Sequence, residues 1–239
     1  MLKFNTANAK LIKLQKKTGR KVYSMSTLSG HSCIGASECL AMAIKTKFGL
    51  RIKDGPLTKF RCYSASQEAQ YPNVYESRKK NLDQIKAHSK NKEKLVSLIL
   101  KSLPKDSSII RWHVAGDWNT LKHFEAAIEV AKQRPNILFY SYTKSLPFLV
   151  LHKDKLPPNF KVIASKGGKW DYLIEKHKLR HAVVVFSTEQ AKKLKLKIDY
   201  DDSVAALENC NFALMIHGTQ PANSEAGKAV SKINRGIAV

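Results

Sequence analysis

The sequence predicts an α/β fold built on a parallel sheet, and a partial (β/α) barrel of about six strands is the first expectation. Two observations lead to it. Short apolar segments recur along the chain, and segments with a helical spacing of apolar residues separate them. Strands that are apolar on both sides are typical of a parallel sheet covered by helices. A doubly wound parallel sheet is the alternative. With 239 residues, a single domain spanning residues 1–239 accommodates either.

The elements follow from periodicity and from residues that start or stop helices. Strands are predicted over 21–26, 109–114, 137–142, 161–164, 182–186 and 212–216. Helices are predicted over 5–17, 39–44, 72–103, 119–133, 146–151, 171–177 and 189–194, with a weak helix in the C-terminal tail. Pro72 suits the first turn of a helix, Asn91 marks an interruption in 72–103, and Asn119 or Thr120 suits an N-cap.

The chain is strongly basic. Lys and Arg number 42 against 19 Asp and Glu, which gives a formal charge of +23. Such a charge attracts nucleic acid or an acidic redox partner, and Tyr63, Tyr71 and Tyr75 are candidate exposed aromatics for base stacking. The alternative is a solvated lysine-rich surface, because the lysines are scattered and no helix-turn-helix, zinc-finger or RNA-binding signature is present.

Neither a membrane nor secretion is expected. No apolar run has the length of a bilayer span, and the basic N-terminus lacks the apolar core of a secretory signal. These features predict a cytoplasmic protein without a membrane partner. In that compartment four cysteines indicate metal or redox chemistry more than disulfides.

Three of the four cysteines, Cys33, Cys39 and Cys62, lie within residues 29–71, and we hypothesise that they bind one iron–sulfur cluster. Thiolates are soft ligands that suit such clusters and zinc, but a zinc ribbon or finger is disfavoured because no C-x-x-C pair occurs. Three isolated structural cysteines fit the spacing equally well. Cys210 is interpreted as a buried or edge cysteine rather than a fourth ligand.

Polar residues follow the predicted strands at their C-terminal ends. These segments are 30–33, 113–117, 142–144, 165–168, 187–188 and 217–221. In parallel α/β proteins the ligand site lies at this edge of the sheet. The segments are therefore expected to meet in one cleft with the cysteines. Taken one at a time, each is better explained as a turn or a helix cap.

Several longer motifs carry a family resemblance. They are SGHSCIGASECLA, DGPLTKFRCYSASQEAQYPNV, RWHVAGDW, FYSYTKSLP, ASKGGKWDYLI, IDYDDS and ALMIHGTQPANS. In these motifs, from about Tyr23 to Ser224, the chain resembles the gene product 88 family of bacteriophages. The resemblance implies a phage protein in the host cytoplasm, with a trimmed radical SAM-like barrel and a [4Fe–4S] cluster bound by Cys33, Cys39 and Cys62. It implies no particular reaction.

The resemblance to radical SAM enzymes is incomplete. Those enzymes bind their cluster through one C-x-x-x-C-x-x-C loop, whereas the cysteines here extend from Cys33 to Cys62. Three cysteines still leave one iron of a cubane open for a small-molecule ligand, and S-adenosylmethionine is a candidate. By position, the segment 114–117 replaces the Gly-rich motif that binds the methionine amine in those enzymes.

Candidate roles follow from residue chemistry. Arg111, His113 and Asp117 are expected to orient the ligand or tune its charge, and His217 to act as an acid, a base or a further ligand. An anionic group is expected on Lys144 and the turn formed by Ser165, Lys166, Gly167 and Gly168, since a lysine and exposed N–H groups suit it. For either histidine, a hydrogen-bonded core position is the alternative.

Two further alternatives complete the prediction. The protein is either a redox or radical enzyme or a non-enzymatic electron carrier docked to an acidic partner, although carriers usually use four cysteines. Asp199, Asp201 and Asp202 have the chemistry of a magnesium site, but an acidic solvated turn is the favoured interpretation.

Overall fold

The computed structural model describes residues 1–236 as a seven-stranded sheet, a separate hairpin and surrounding helices. The strands are β1 (Phe4–Asn5), β2 (Val22–Met25), β3 (Ala41–Thr46), β4 (Gly49–Asp54), β5 (Ile109–Trp112), β6 (Leu138–Thr143), β7 (Phe160–Ser165), β8 (His181–Val185) and β9 (Phe212–Met215). The helices are α1 (Ala9–Thr18), α2 (Tyr63–Gln70), α3 (Pro72–His88), α4 (Lys92–Ser102), α5 (Leu121–Gln133), α6 (Leu146–His152), α7 (Tyr172–Lys176), α8 (Thr188–Lys193), α9 (Ser203–Leu207) and α10 (Glu225–Asn234). Within this range no helix combines the length and apolar composition that crossing a bilayer requires.

The sheet is mostly parallel, as predicted. Its order is β1-β2-β5-β6-β7-β8-β9, with β1 antiparallel to β2 and every later pair parallel. The six parallel strands correspond to the six predicted from apolar segments. They lie side by side in chain order. A doubly wound sheet has a point at which the strand order reverses, and this sheet has none.

The sheet has two different faces, and β5 shows how the sequence assigns them. Ile110 and Trp112 point into the larger apolar cluster, which includes side chains of α4 and α5. Ile109 points the other way, into a smaller cluster with residues of α1 and α9. Side chains alternate along a strand, so Arg111 lies on the α1 and α9 face. Helices α1 and α9 cover this face only in part, so polar side chains such as Arg111 border an open cavity there.

The prediction of a helix over 39–44 is wrong. Ala41–Thr46 is β3, paired with β4 from Ala41↔Asp54 to Thr46↔Gly49. Its side chains alternate between buried and half-buried, as Ala43 and Ile44 do, and this is the period of a strand. A short apolar run cannot be assigned by periodicity alone, and this one is followed by a tight turn closed at Gly49, where φ is +93°.

Other boundaries follow capping side chains. The long helix predicted over 72–103 is divided into α3 and α4, and Asn91 accepts a hydrogen bond from Lys94 N at 2.8 Å to cap α4. Helix α1 begins after Asn8, which caps it, because the preceding residues pair with β2 as β1. The sequence did not predict α2, which begins directly after Cys62.

Candidate functional site

A cavity of about 650 Å³ lies on the face of the sheet that carries α1 and α9, at the ends of the parallel strands. Its wall includes nine of the twelve residues for which the sequence predicts a role: Cys33, Cys39, Cys62, Arg111, His113, Asp117, Lys144, Ser165 and His217. Lys166, Gly167 and Gly168 are not among the lining residues. Neighbouring parallel strands end at one edge, and this geometry brings segments so distant in sequence together.

The three cysteines of the wall are free, half-buried thiols. Burial raises the pKa of Cys33, and the charges of Asp117, Cys62 and Cys39 add to that shift. Burial also raises the pKa of Cys39, to about 11. All three cysteines line the same cavity. Within residues 1–236, however, no three or more His, Cys, Asp or Glu side chains form a group that could hold a metal ion.

Cys210 lies apart from this cavity. Its side chain is exposed, and its thiol contacts a carboxylate oxygen of Glu208 at 3.6 Å. It stands just before β9, in agreement with its interpretation as an edge cysteine. Cys210 therefore provides a natural control for experiments on the other three.

The loop before Cys33 is fixed by a glycine and by a buried carboxylate. Gly30 has a φ of +72°, a Cβ there would lie 2.6 Å from the carbonyl oxygen of Ala41, and its N–H donates to Cys33 Sγ at 3.3 Å. The fully buried Glu68 accepts hydrogen bonds from the N–H and hydroxyl of Ser29 and pairs with Arg78 at 2.9 Å. Helix α2 thereby holds the loop in place.

Gln220 holds the backbone just before Cys62. Its Oε1 accepts from the N–H of Arg61 at 2.7 Å, and its Nε2 donates to the Arg61 carbonyl oxygen at 2.9 Å. This pair of bonds joins the loop after β9 to the third cysteine across 159 residues of sequence. The sequence motif that contains Gln220 indicated an important loop without indicating this role.

Gln220→Ala is expected to lower the free energy of unfolding by about 1 kcal/mol, because two backbone groups of Arg61 lose their partner. Alkylation of Cys62 by iodoacetamide should also become faster, since the loop opens more often. Urea denaturation and mass spectrometry measure the two effects. The control Gln133→Ala removes an exposed contact on α5. Equal alkylation rates in Gln220→Ala and the unmodified protein would contradict this role.

In the turn after β7, the N–H groups of Gly167 and Gly168, which were expected to be free, form hydrogen bonds within the protein. The N–H groups of Gly167 and Gly168 donate to the Asp171 carboxylate at 2.7 and 2.9 Å. The ammonium of Lys144 donates to the oxygen atoms of Ser165 and to the Lys166 carbonyl. In this conformation protein acceptors use these donors, and the anion site stays a prediction.

The same turn instead clamps the segment between Cys33 and Cys39. Ala36 forms a bridge with Gly168, and the Glu38 N–H donates to the Gly167 carbonyl oxygen at 3.0 Å. A Cβ on Gly35 would lie 2.0 Å from the Lys144 carbonyl oxygen, so only glycine permits this approach. The glycines that suggested a ligand loop are therefore explained by close backbone packing.

Asp117 links three of the loops around the cavity. Its buried carboxylate accepts from Thr143 Oγ1 at 2.7 Å, from Lys144 N at 2.8 Å and from Trp118 N at 2.7 Å. Its own N–H donates to Ser32 Oγ, next to Cys33. Burial raises its pKa despite these bonds. The carboxylate thus orders the loops, and this function requires no ligand.

Arg111 enters the cavity paired with a buried carboxylate. Its guanidinium donates to Asp202, which also accepts from Tyr140 OH at 3.0 Å and lies 3.3 Å from the Lys10 ammonium. Arg111 Nε is buried without a partner, and among residues 1–236 Asp202 is the only hydrogen-bond partner of this guanidinium. Donor capacity therefore remains at the cavity wall.

The magnesium interpretation of the acidic turn is not needed. Asp202 is the partner of Arg111, while Asp199 accepts from Ala205 N at 2.9 Å and Asp201 accepts from Ser203 N at 3.0 Å. Asp199 and Asp201 thus order the start of α9, while Asp202 balances Arg111 and Lys10 at the cavity.

His113 lines the cavity, and its ring is buried among other rings. The ring packs against Trp118 at 4.4 Å and His123 at 5.3 Å between centroids, and both ring nitrogens are buried without a hydrogen-bond partner among residues 1–236. Burial, followed by the charge of His123, lowers its pKa well below the usual value. Both nitrogens are thus shielded from solvent in this conformation, and a role of His113 toward a ligand stays a prediction.

His217 lies at the exposed rim, and its ring is tilted against that of Tyr63 at 4.5 Å between centroids. Partial desolvation, together with the charges of Lys10 and Arg111, lowers its pKa. The ring therefore stays neutral at neutral pH, as proton acceptance requires.

The three tyrosines predicted as exposed differ. Tyr71 is exposed and Tyr63 is half-buried in the cavity wall, but Tyr75 is buried beneath the hairpin of β3 and β4. Tyr75 is therefore unavailable for base stacking.

A family model described as Gene product 88 matches residues 2–234. The search of curated proteins finds no match.

Proposed function

The chain belongs to the Gene product 88 family, and we propose that in it Cys33, Cys39 and Cys62 bind one [4Fe–4S] cluster. The observation that carries this proposal is the set of three free thiols around one cavity. Their donor chemistry fits, since thiolates are the ligands of such clusters. A cubane is larger than a single ion, so its thiolates stand further apart than those of a zinc site.

The environment of the thiols also fits. Hydrogen bonds from α2, from the turn after β7 and from Gln220 fix the three chain segments that carry the cysteines. The three thiols themselves are free and form no disulfide among residues 1–236. The raised pKa values of Cys33 and Cys39 mean that binding releases protons, so cluster binding should strengthen as the pH rises.

Three cysteines leave one iron of a cubane without a protein ligand, and the cavity offers space for a small molecule there. Its volume of about 650 Å³ is in the range of small-molecule sites. When bound, the cluster supplies one-electron transfer. Arg111 and Lys10 provide the cations that hold an anionic group of the ligand, and His217 provides a neutral base at the rim.

We propose a redox or radical enzyme with a radical SAM-like partial barrel. Chain-order parallel strands and a site at their C-terminal edge support this assignment. S-adenosylmethionine is the candidate ligand, because the segment 114–117 also lines the cavity. The cysteines extend from Cys33 to Cys62, unlike the single loop of radical SAM enzymes, so cluster binding does not by itself imply binding of S-adenosylmethionine. A titration with S-adenosylmethionine tests that binding separately.

The alternative is an electron carrier that docks an acidic partner in the cytoplasm of a phage-infected cell. The charge of +23 supports such docking. A carrier needs no room for a substrate, so the cavity lined by Arg111, Asp117 and His217 favours the enzyme.

Anaerobic reconstitution with iron and sulfide tests the proposal. We expect about four iron atoms per chain, absorbance from thiolate-to-iron charge transfer, and a paramagnetic signal after reduction. Adding S-adenosylmethionine should change that signal if it binds the open iron. Stoichiometric zinc or no bound metal would contradict the cluster. An unchanged signal would exclude only S-adenosylmethionine.

A further inference from the structure

The hairpin of β3 and β4 has two chemically different faces. It lies in the chain between Cys39 and Cys62, and the pairs Ala43↔Ile52 and Lys45↔Leu50 share its inner face. This face packs on Tyr75 and Leu28, and the Lys45 ammonium pairs with Glu76 of α3 at 2.8 Å. On the inner face the charge of Lys45 is therefore paired, and Ala43 is buried.

The outer face is basic and has no acidic partner. The pairs Met42↔Lys53 and Ile44↔Arg51 place Arg51 and Lys53 side by side on one strand. Both residues are exposed, and neither forms an ion pair within residues 1–236. Residues two apart on a strand are separated by about 7 Å, similar to the spacing of successive phosphates along an extended strand.

The tip of the hairpin adds an aromatic ring. Phe48 is 73% exposed, more than any other aromatic side chain in the described range. The Lys47 ammonium lies 5.0 Å from its ring centroid and forms no ion pair with any residue of 1–236. An exposed ring flanked by cations is the arrangement that stacks a base while its phosphate is neutralised.

We propose that this outer face and tip bind a single strand of nucleic acid. Arg51, Lys53 and Lys47 would contact phosphates, and Phe48 would stack on a base. The base of the hairpin adjoins Cys39 and the Arg61–Asp54 ion pair, so a bound strand would be led toward the cavity. The proposal does not depend on a cluster.

Fluorescence anisotropy with labelled single-stranded DNA and RNA of mixed sequence tests it. Arg51→Gln/Lys53→Gln should weaken binding at least about tenfold and flatten the dependence of log K on log salt by about one to two, as two lost phosphate contacts predict. Phe48→Ala should weaken binding about tenfold and leave that slope unchanged. Unchanged circular dichroism verifies folding of these surface variants.

The matched control is Lys192→Gln/Lys193→Gln on α8. It removes the same charge from exposed residues that also lack ion pairs within residues 1–236. We expect its affinity to stay within about twofold of the unmodified protein. If Lys192→Gln/Lys193→Gln lost as much affinity as Arg51→Gln/Lys53→Gln, the proposal would be overturned, because the loss would then reflect net charge rather than this surface.

Three further arms separate this proposal from others. Preference for duplex DNA, or binding to anionic phospholipid vesicles without binding to either oligonucleotide, would overturn it. A Cys33→Ser protein that lacks metal but binds the strand normally would support it. That result would also show that strand binding does not depend on the cluster.

Discussion

Cys33→Ser, Cys39→Ser and Cys62→Ser are each expected to abolish binding of the full four-iron cluster and most of its absorbance. A serine hydroxyl is a hard, weakly acidic ligand that does not replace a thiolate on iron. Since the three thiols surround one cavity, removing any one should be as damaging as removing another. Iron and sulfide analysis after anaerobic reconstitution measures the loss.

Cys210→Ser is the matched control, because this exposed thiol lies outside the cavity. It should retain full iron content. A Cys62→Ser protein that still binds a complete cubane would contradict the ligand set, and a loss confined to Cys210→Ser would move the site elsewhere. Circular dichroism of the metal-free variants distinguishes a lost ligand from a lost fold.

Asp202→Ala is expected to lower the free energy of unfolding by about 3–5 kcal/mol. The substitution leaves the Arg111 guanidinium, whose side chain is 11% exposed, without the only carboxylate that pairs with it among residues 1–236. Adding Arg111→Met should recover part of the loss, since no buried charge is then unpaired. Urea denaturation at neutral pH measures both, with Asp83→Ala, which removes an exposed pair on α3, as a control expected to change little.

This contribution should also depend on pH. Burial alone would raise the pKa of Asp202, but Arg111, Lys10 and the Tyr140 hydroxyl hold it below its ordinary value. A carboxylate with a depressed pKa in the folded state stabilises above its unfolded pKa of about 3.9, and that stabilisation is lost as the pH falls through the folded value. The difference between the unmodified protein and Asp202→Ala should therefore shrink below about pH 4. A constant difference would show that Asp202 is not the titrating partner.

The parallel sheet was predictable because its signal is strong. The segment 182–186 is apolar on both faces, 109–114 is apolar on the face of Ile110 and Trp112, and helical periods separate the strands. The division of 72–103 at Asn91 was also predictable, since an asparagine side chain caps a helix locally. Convergence at one sheet edge followed from topology and required no knowledge of the individual contacts.

The remaining features depend on contacts between distant residues. The predicted helix 39–44 overlaps β3, which is a strand because β4 pairs with it, and nothing within the predicted helix reveals that partner. The glycines of 165–168 fit a ligand loop and a backbone clamp equally well until Asp171 and Glu38 are placed beside them. Gln220 and Glu68 act over many residues of separation, and no local pattern marks them.

The bond between Gln220 and Arg61 has a consequence for the order of events during synthesis. A chain emerging from the ribosome presents all three clustered cysteines long before the loop after β9 exists. The backbone before Cys62 is fixed only when that late segment docks. Any metal cofactor of these thiols should therefore be inserted after translation is nearly finished, and chains truncated before Gln220 should accumulate in an apo, oxidation-prone form.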